Sequence, residues 1–359
     1  MRFVVLSSNI INEKIARPIM NNKGQVLIAR NTVITKKILR KLQQLGITSI
    51  YIVSEIKSDL DDVIDLTERK KEVSEFKEFT NGLIYNMNKS GNSSVNKRIK
   101  IYRNINKQID AIATKLINSV NYSRKISMVD IKSAEDYLFE HQINVCILSI
   151  YIGRKLHYNN KNIKKLAKAA LIFDYGCLLL ENKDLISKLK LTDEERKEYK
   201  THTTLGYDFL RNNLDFSITE IIPSLEHHER VNGTGYPRGI TGDKMHEFSR
   251  IIAIADAYDE LTSSRIGKPA FPQSEAIEFL MGSAGSLYDF EFVNIFVKNI
   301  IPYPRGSKVM LSNGDVGFVI NQNRDLPLRP KVIVVEGDKK GLVDLADETN
   351  VTISKVIIK

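Results

Sequence analysis

From about residue 116 to residue 300 the apolar residues of this chain recur every three or four positions, and several of these stripes also carry a histidine or an aspartate. That period marks amphipathic helices that pack together. In DYLFEHQINVCILSIYIGRKL, Leu138, His141, Val145, Leu148 and Ile152 share one face. In KNIKKLAKAALIFDYG, Ile163, Ala167, Ala170 and Asp174 do the same, with Gly176 near the helix end. In SRIIAIADAYDELTSS, Ile252 and Asp256 lie four apart, and Ala253, Ala255 and Ala257 let a neighbouring helix approach closely. The expected fold class is mainly α, an all-helical bundle.

The flanks change period. Residues 1–54 read as a small β-rich N-terminal domain: strands at RFVVL, QVLIA and SIYIV, an NNKG turn, and one helix, TKKILRKLQQLGI. Ile38, Leu42 and Leu45 would form that helix's buried face and Gly46 its stop. Residues 55–115 read as a helical connector, interrupted at NKSGNSSVNK (88–97). Residues 301–359 read as a β-rich tail. There SKVMLSNGDVGFVI is strand, Asn-Gly turn, strand, and RPKVIVVEG and VTISKVIIK supply further strands.

Composition sets outer limits. The 359 residues are 42% apolar, enough for more than one core. The chain has no apolar run of about 18 residues, so no membrane span is expected, and its start lacks a secretory pattern. Cys146 and Cys177 are too few for a disulfide framework, and a cytoplasmic home is expected. Net charge is +10, and residues 81–130 carry nine Lys/Arg against Asp110 and Asp130. No groove-reading motif accompanies that charge, so a solvated helical face is favoured over a nucleic-acid surface.

The stretch LEHHERVNGTGYPRGI (225–240) sets an adjacent histidine pair beside a sharp loop. It is either a tight turn near exposed histidines or a metal site with a substrate-shaping loop. Inward-facing His141, Asp174, His202, His227, His228 and Asp256 bear on the choice. A buried histidine or aspartate costs several kcal/mol unless paired or metal-bound. Imidazoles and carboxylates are the ligands that iron, manganese and zinc accept. His157 and His246 sit in polar surroundings and are expected at the surface.

These motifs resemble a family. HHERVNGTGYP is similar to the HD-GYP signature, SRIIAIADAYDELTSSR to that family's following helix, KTHTTLGYDFL to its central histidine segment, and YLFEHQINVCILS to its first. The resemblance covers roughly residues 116–300. Residues 1–54 and LSNGDVGFVI also resemble segments that accompany this domain in some bacterial members. The resemblance implies an HD-type helical bundle with two or three metals, hydrolysing cyclic di-GMP. It implies metal ligands at His141, Asp174, His202, His227, His228 and Asp256, with Asp174 as the bridge and central catalytic group. It further implies ligand contacts at Gly235, Tyr236 and Pro237, and phosphate-binding cations at Arg265 and Lys268.

The pattern also breaks. The family's His-Asp-x-Gly-Lys segment reads FDYGC here, so Phe173 replaces a metal-binding histidine and Cys177 a lysine near the scissile phosphate. Asn232 replaces the loop's first aspartate. One metal site, with His141, Asp174 and Asp256, loses a ligand. The other, with Asp174, His202, His227 and His228, keeps its set. The expected cofactor is a divalent transition metal, iron or manganese, with one strong and one weakened site. Cys177 would share the face of Asp174 if the helix continued, but Gly176 argues that it ends, so a substituting thiolate is not expected.

The expected function is a weakened cyclic-dinucleotide phosphodiesterase. The alternatives are a catalytically inactive binding or signalling module, with a homo-oligomer or a signalling protein as partner, and a nucleic-acid-binding scaffold.

Overall fold

A computed structural model describes residues 2–20, 25–45, 47, 49–53, 64, 66–89, 95–120, 126, 137–186, 188, 190–263, 271–323, 325–338 and 340–357. The N-terminal part contains β1 (Arg2–Val5), β2 (Ile19–Met20), β3 (Val26–Ile28), α1 (Lys36–Gln44) and β4 (Ser49–Ile52). Strand β1 pairs with β4 and β2 with β3, both antiparallel. Val4, Ile15, Ile34, Leu42 and Ile50 belong to their own buried cluster. Thr35 caps α1, its Oγ1 accepting from Ile38 N at 3.3 Å. The buried face of α1 is Leu39 and Leu42, whereas Leu45 is 42% exposed. The helix ends at Gln44, so Leu45 leaves the expected stripe. The NNKG turn and Gly46 lie outside the described residues.

The helical part runs through α2 (Leu66–Lys89), α3 (Val95–Ser119), α4 (Tyr137–Lys155), α5 (Asn160–Ile172), α6 (Asp193–Lys200), α7 (His202–Asn213), α8 (Ile218–Glu226), α9 (Glu247–Thr262), α10 (Gln273–Ser283) and α11 (Phe290–Lys298). Residues 88–89 and 95–97 of the expected loop are helical, and 90–94 lie outside the described residues. Helix α4 is the centre of the bundle and packs against α2, α5, α9 and α11. Every residue from Tyr137 to Gly153 is buried. Its stripe is therefore one side of a helix covered all round, as its nearly continuous apolar sequence allows.

Local signals set the helix ends. Asn159 caps α5, its Oδ1 accepting from Asn162 N at 2.9 Å. Thr192 with Glu195, and Ser217 with Glu220, form capping boxes on α6 and α8. Such caps contribute about 0.5–2 kcal/mol each. Helix α5 stops at Ile172 and a short 3-10 helix covers Tyr175–Leu179. Asp174 thus lies beyond the helix on which its spacing placed it.

The C-terminal part has β5 (Lys308–Leu311), β6 (Val316–Asn321), β7 (Lys331–Glu336), β8 (Gly341–Asp344) and β9 (Ile353–Val356). They form one antiparallel sheet in the order β8-β7-β6-β5-β9. The expected Asn-Gly hairpin joins β5 to β6, with Gly314 at φ +90°. Among the described residues no helix is long and apolar enough to cross a membrane.

Candidate metal centre

Helix α4 carries His141 and α9 carries Asp256, and packing these helices brings His141 Nε2 to 3.0 Å from Asp256 Oδ1. On the other side of the ring, His141 Nδ1 lies 2.6 Å from Asp259 Oδ2. Asn144, one turn along α4, donates to Asp259 Oδ1 at 2.8 Å. Asp259 was not among the expected site residues. Its signal was available: it stands three residues after Asp256, on the same face of α9. Burial raises the Asp256 carboxyl, its bond to His141 opposes that rise, and the balance leaves it at about 6. Both nitrogens of His141 are thus engaged by carboxylates within the protein.

A second cluster gathers around His202, the first residue of α7 and fully buried. Its Nδ1 donates to Tyr199 O at 2.6 Å. Its Nε2 lies 3.2 Å from His227 Nε2 and 3.5 Å from Asp174 Oδ1. His227 ends α8, and its Nδ1 donates to Pro223 O at 2.9 Å. The His228 ring lies 4.1 Å from that of His227 and 5.1 Å from that of His202, centroid to centroid. Burial, and then neighbouring histidines, hold both His227 and His228 well below the usual histidine range. Two sets of ligand atoms here are spaced to hold a metal ion: His202, His227 and His228, and Asp174, Cys177 and His202.

Cys177 corrects an expectation. Helix α5 does end, but the chain continues as a 3-10 helix, with about three residues per turn, so positions three apart lie one above the other. Cys177 Sγ therefore sits 3.0 Å from Asp174 Oδ1 and donates to it. Burial, then the Asp174 charge, push its thiol well above the usual range. Gly176 lets this turn press against the start of α7. A Cβ there would collide with the His202 carbonyl and lie 2.8 Å from Gly206 N.

Phe173 stands between the two clusters. Its buried ring is edge-on to His227 at 4.9 Å and to His141 at 5.8 Å, centroid to centroid. An apolar ring thus occupies the ground between the two sets of donors.

The loop after His228 is built on buried acids that the sequence reading did not single out. Glu229 accepts from Arg238 N at 2.8 Å and from Ile240 N at 3.2 Å. Glu226 accepts from His246 N at 2.9 Å and Ser249 Oγ at 2.8 Å, and it pairs with Arg238. Gly235 packs against backbone, since a Cβ would fall 2.5 Å from His228 O. Tyr236 is half-buried and stacks on His228, with centroids 4.8 Å apart and planes at 28°. Lys200 Nζ lies 4.7 Å from the centre of its ring. Pro237 is exposed beside it. Asn232 Oδ1 accepts from Thr234 N at 3.0 Å and Thr234 Oγ1 at 2.7 Å, which an aspartate oxygen could also do. Arg265 and Lys268 lie outside the described residues. His157 is exposed as expected, whereas His246 is half-buried and caps α9 through Nδ1.

A helical bundle that gathers imidazoles and carboxylates from separate helices in its interior defines the class of histidine-aspartate domains. The HD domain profile matches residues 108–292, a little over half the chain, and the chain belongs to that family, its motifs being those of the HD-GYP type. A KOW domain associated with HD domains matches residues 308–359. A cyclic di-GMP phosphodiesterase of Pseudomonas aeruginosa is 30% identical over 226 residues, 63% of this chain and 54% of that protein. PdeB of Borreliella burgdorferi, also named a cyclic di-GMP phosphodiesterase, is 26% identical over 234 residues, 63% of this chain and 61% of that one. A 3'3'-cGAMP-specific phosphodiesterase of Vibrio cholerae is 30% identical over 177 residues, 49% of this chain and 38% of that one. The chain spans about half the length of the curated relatives it matches. The solved structure of an HDG"Y"P protein from Bdellovibrio bacteriovorus superposes with a TM-score of 0.47 at 19% identity, covering 82% of this chain and 98% of that one.

Proposed function

We propose that this chain is a metal-dependent phosphodiesterase of weakened activity acting on a cyclic dinucleotide, with cyclic di-GMP the first substrate to try. The observation that carries this reading is the approach of His202 Nε2 and His227 Nε2 to 3.2 Å. Carbonyl oxygens only accept, so both Nδ1 atoms carry hydrogens, and in neutral rings the two Nε2 lone pairs point at each other. Asp174 Oδ1, a third acceptor, lies 3.5 Å from His202 Nε2. Positive charge belongs between these atoms. Burial and the neighbouring histidines drive His227 and His228 towards the neutral form, the form in which imidazole binds a metal.

Asp174, His202, His227 and His228 would hold that ion, and imidazole with carboxylate suits iron or manganese. A bound divalent ion supplies charge at the phosphate oxygens and makes water a nucleophile near neutral pH. Tyr236 stacks on His228 beside the site, and a nucleobase that displaces Lys200 from its ring could stack there. We assign Arg265 and Lys268 to the ligand's two phosphates. His141 and Asp256 would hold a second, weaker ion, since Phe173 brings no donor to it.

The test is metal analysis of the purified protein, then incubation with Mn²⁺ or Fe²⁺ and cyclic di-GMP, following the linear dinucleotide or GMP. Slow, metal-dependent turnover is expected. A second reading, a binding module without catalysis, is favoured by the Phe173 ring between the clusters; binding without turnover in metal-loaded protein would establish it. Protein that takes up neither metal nor dinucleotide overturns both.

A further inference from the structure

The Asp174–Cys177–His202 triad contains a sulfur that the HD-GYP pattern does not provide. Cys177 is fully buried, its sulfur lies 3.0 Å from Asp174 Oδ1, and the ligand atoms of all three residues lie within 4.8 Å of one another. A second observation points to a cation at this place. His202 Nε2 is buried among acceptors, with His227 Nε2 at 3.2 Å and Asp174 Oδ1 at 3.5 Å. Its Nδ1 is already committed to Tyr199 O. His202 therefore has one lone pair to give, and it can serve one ion at a time.

We propose that Cys177 is a metal ligand, joining Asp174 and His202 around the ion that His202 holds. The inference rests on the metal-dependent reading above. It assigns a mixed sulfur, oxygen and nitrogen set in place of a purely nitrogen and oxygen one. When the metal–sulfur bond forms, the thiol hydrogen now directed at Asp174 leaves as a proton, one per ion bound. No oxidation or reduction is involved. Sulfur among the ligands favours thiophilic ions such as Zn²⁺ and Co²⁺ over Mn²⁺. The 3-10 turn supplies the geometry, because it keeps residue 177 stacked on residue 174 after helix α5 has ended.

Co²⁺ reports the ligand directly. The full chain, stripped with chelator, is titrated with Co²⁺ as wild type, Cys146→Ser and Cys177→Ser. Visible d–d bands are expected in all three. A near-ultraviolet sulfur-to-cobalt charge-transfer band is expected in wild type and Cys146→Ser, and its loss in Cys177→Ser. The chain has two cysteines, so wild type and Cys146→Ser decide the matter even if Cys177→Ser does not fold. Visible bands in wild type without the charge-transfer band overturn the sulfur ligand and leave the metal reading standing. A band lost in Cys146→Ser but kept in Cys177→Ser also overturns it. No cobalt bands at all overturn the metal reading with it.

Discussion

The ring of Phe173 stands edge-on to His227, with centroids 4.9 Å apart and planes at 87°. It is also edge-on to His141, at 5.8 Å. One apolar side chain therefore separates the His141–Asp256 pair from the His202 cluster. A histidine at 173 would place a donor where carbon now stands. Phe173→His, with Cys177 kept, should raise both the metal content and dinucleotide hydrolysis above those of wild type. The gain in metal affinity is expected to exceed the ~10–100-fold typical of outer-sphere changes. Metal analysis and turnover of the variant check it; unchanged metal content with inert protein counts against the reading of Phe173 as a lost ligand.

Asp259 holds His141 from behind through Nδ1, and Asn144 holds Asp259. A carboxylate accepts from both neighbours at once, whereas an amide must turn its NH2 towards one of two donors. Asp259→Asn should therefore loosen His141 and lower metal affinity or activity by about 10–100-fold. Mn²⁺ titration of turnover measures it, with circular dichroism showing that the fold is kept.

Gly176 is pressed against the start of α7. Any Cβ meets the His202 carbonyl, which is backbone and cannot swing aside. Gly176→Ala should cost at least about 1–3 kcal/mol, the usual range for forced overpacking. It should also displace Asp174 from His202, so metal binding falls with the melting temperature. A variant that melts and binds metal like wild type would contradict the close approach.

Glu220 closes the capping box of α8 and pairs with Lys168 at 2.8 Å. Burial works to raise its carboxyl, but the Lys168 and Ser217 bonds outweigh it, and the group lies below its ordinary value of 4.5. A carboxyl lowered by folding stabilises the protein fully above its unfolded value. That stabilisation is lost as pH falls through the folded value. Wild type should thus be more stable than Glu220→Gln at neutral pH, and the gap should close only below about pH 4.5. Urea unfolding of both proteins across that range tests the sign; a gap that persists in acid refutes it.

Much of the candidate site's clustering was legible because buried polar residues stand out on apolar stripes. His141 and Asp256 were marked by helical spacing, and they meet because α4 and α9 pack together. Asp259 shares the face of Asp256, which spacing does show, but spacing does not say that His141 would lie opposite it. Glu226 and Glu229 stood inside the quoted loop segment, yet their role as acceptors for loop amides depends on where the loop returns. Leu45 and Asp174 show the limit at helix ends, where spacing continues on paper after the hydrogen-bonded ladder has stopped.

The sequence by itself determined the helical bundle, its β-rich flanks and the residue types able to bind a metal, because periodicity and side-chain chemistry are local properties of the chain. Only the tertiary structure decided that Phe173 touches both clusters, that Cys177 lies over Asp174, and that His202 Nε2 and His227 Nε2 meet at 3.2 Å. Those relations depend on how helices end and dock, to within about an ångström, and no local pattern specifies a distance between residues far apart in the chain.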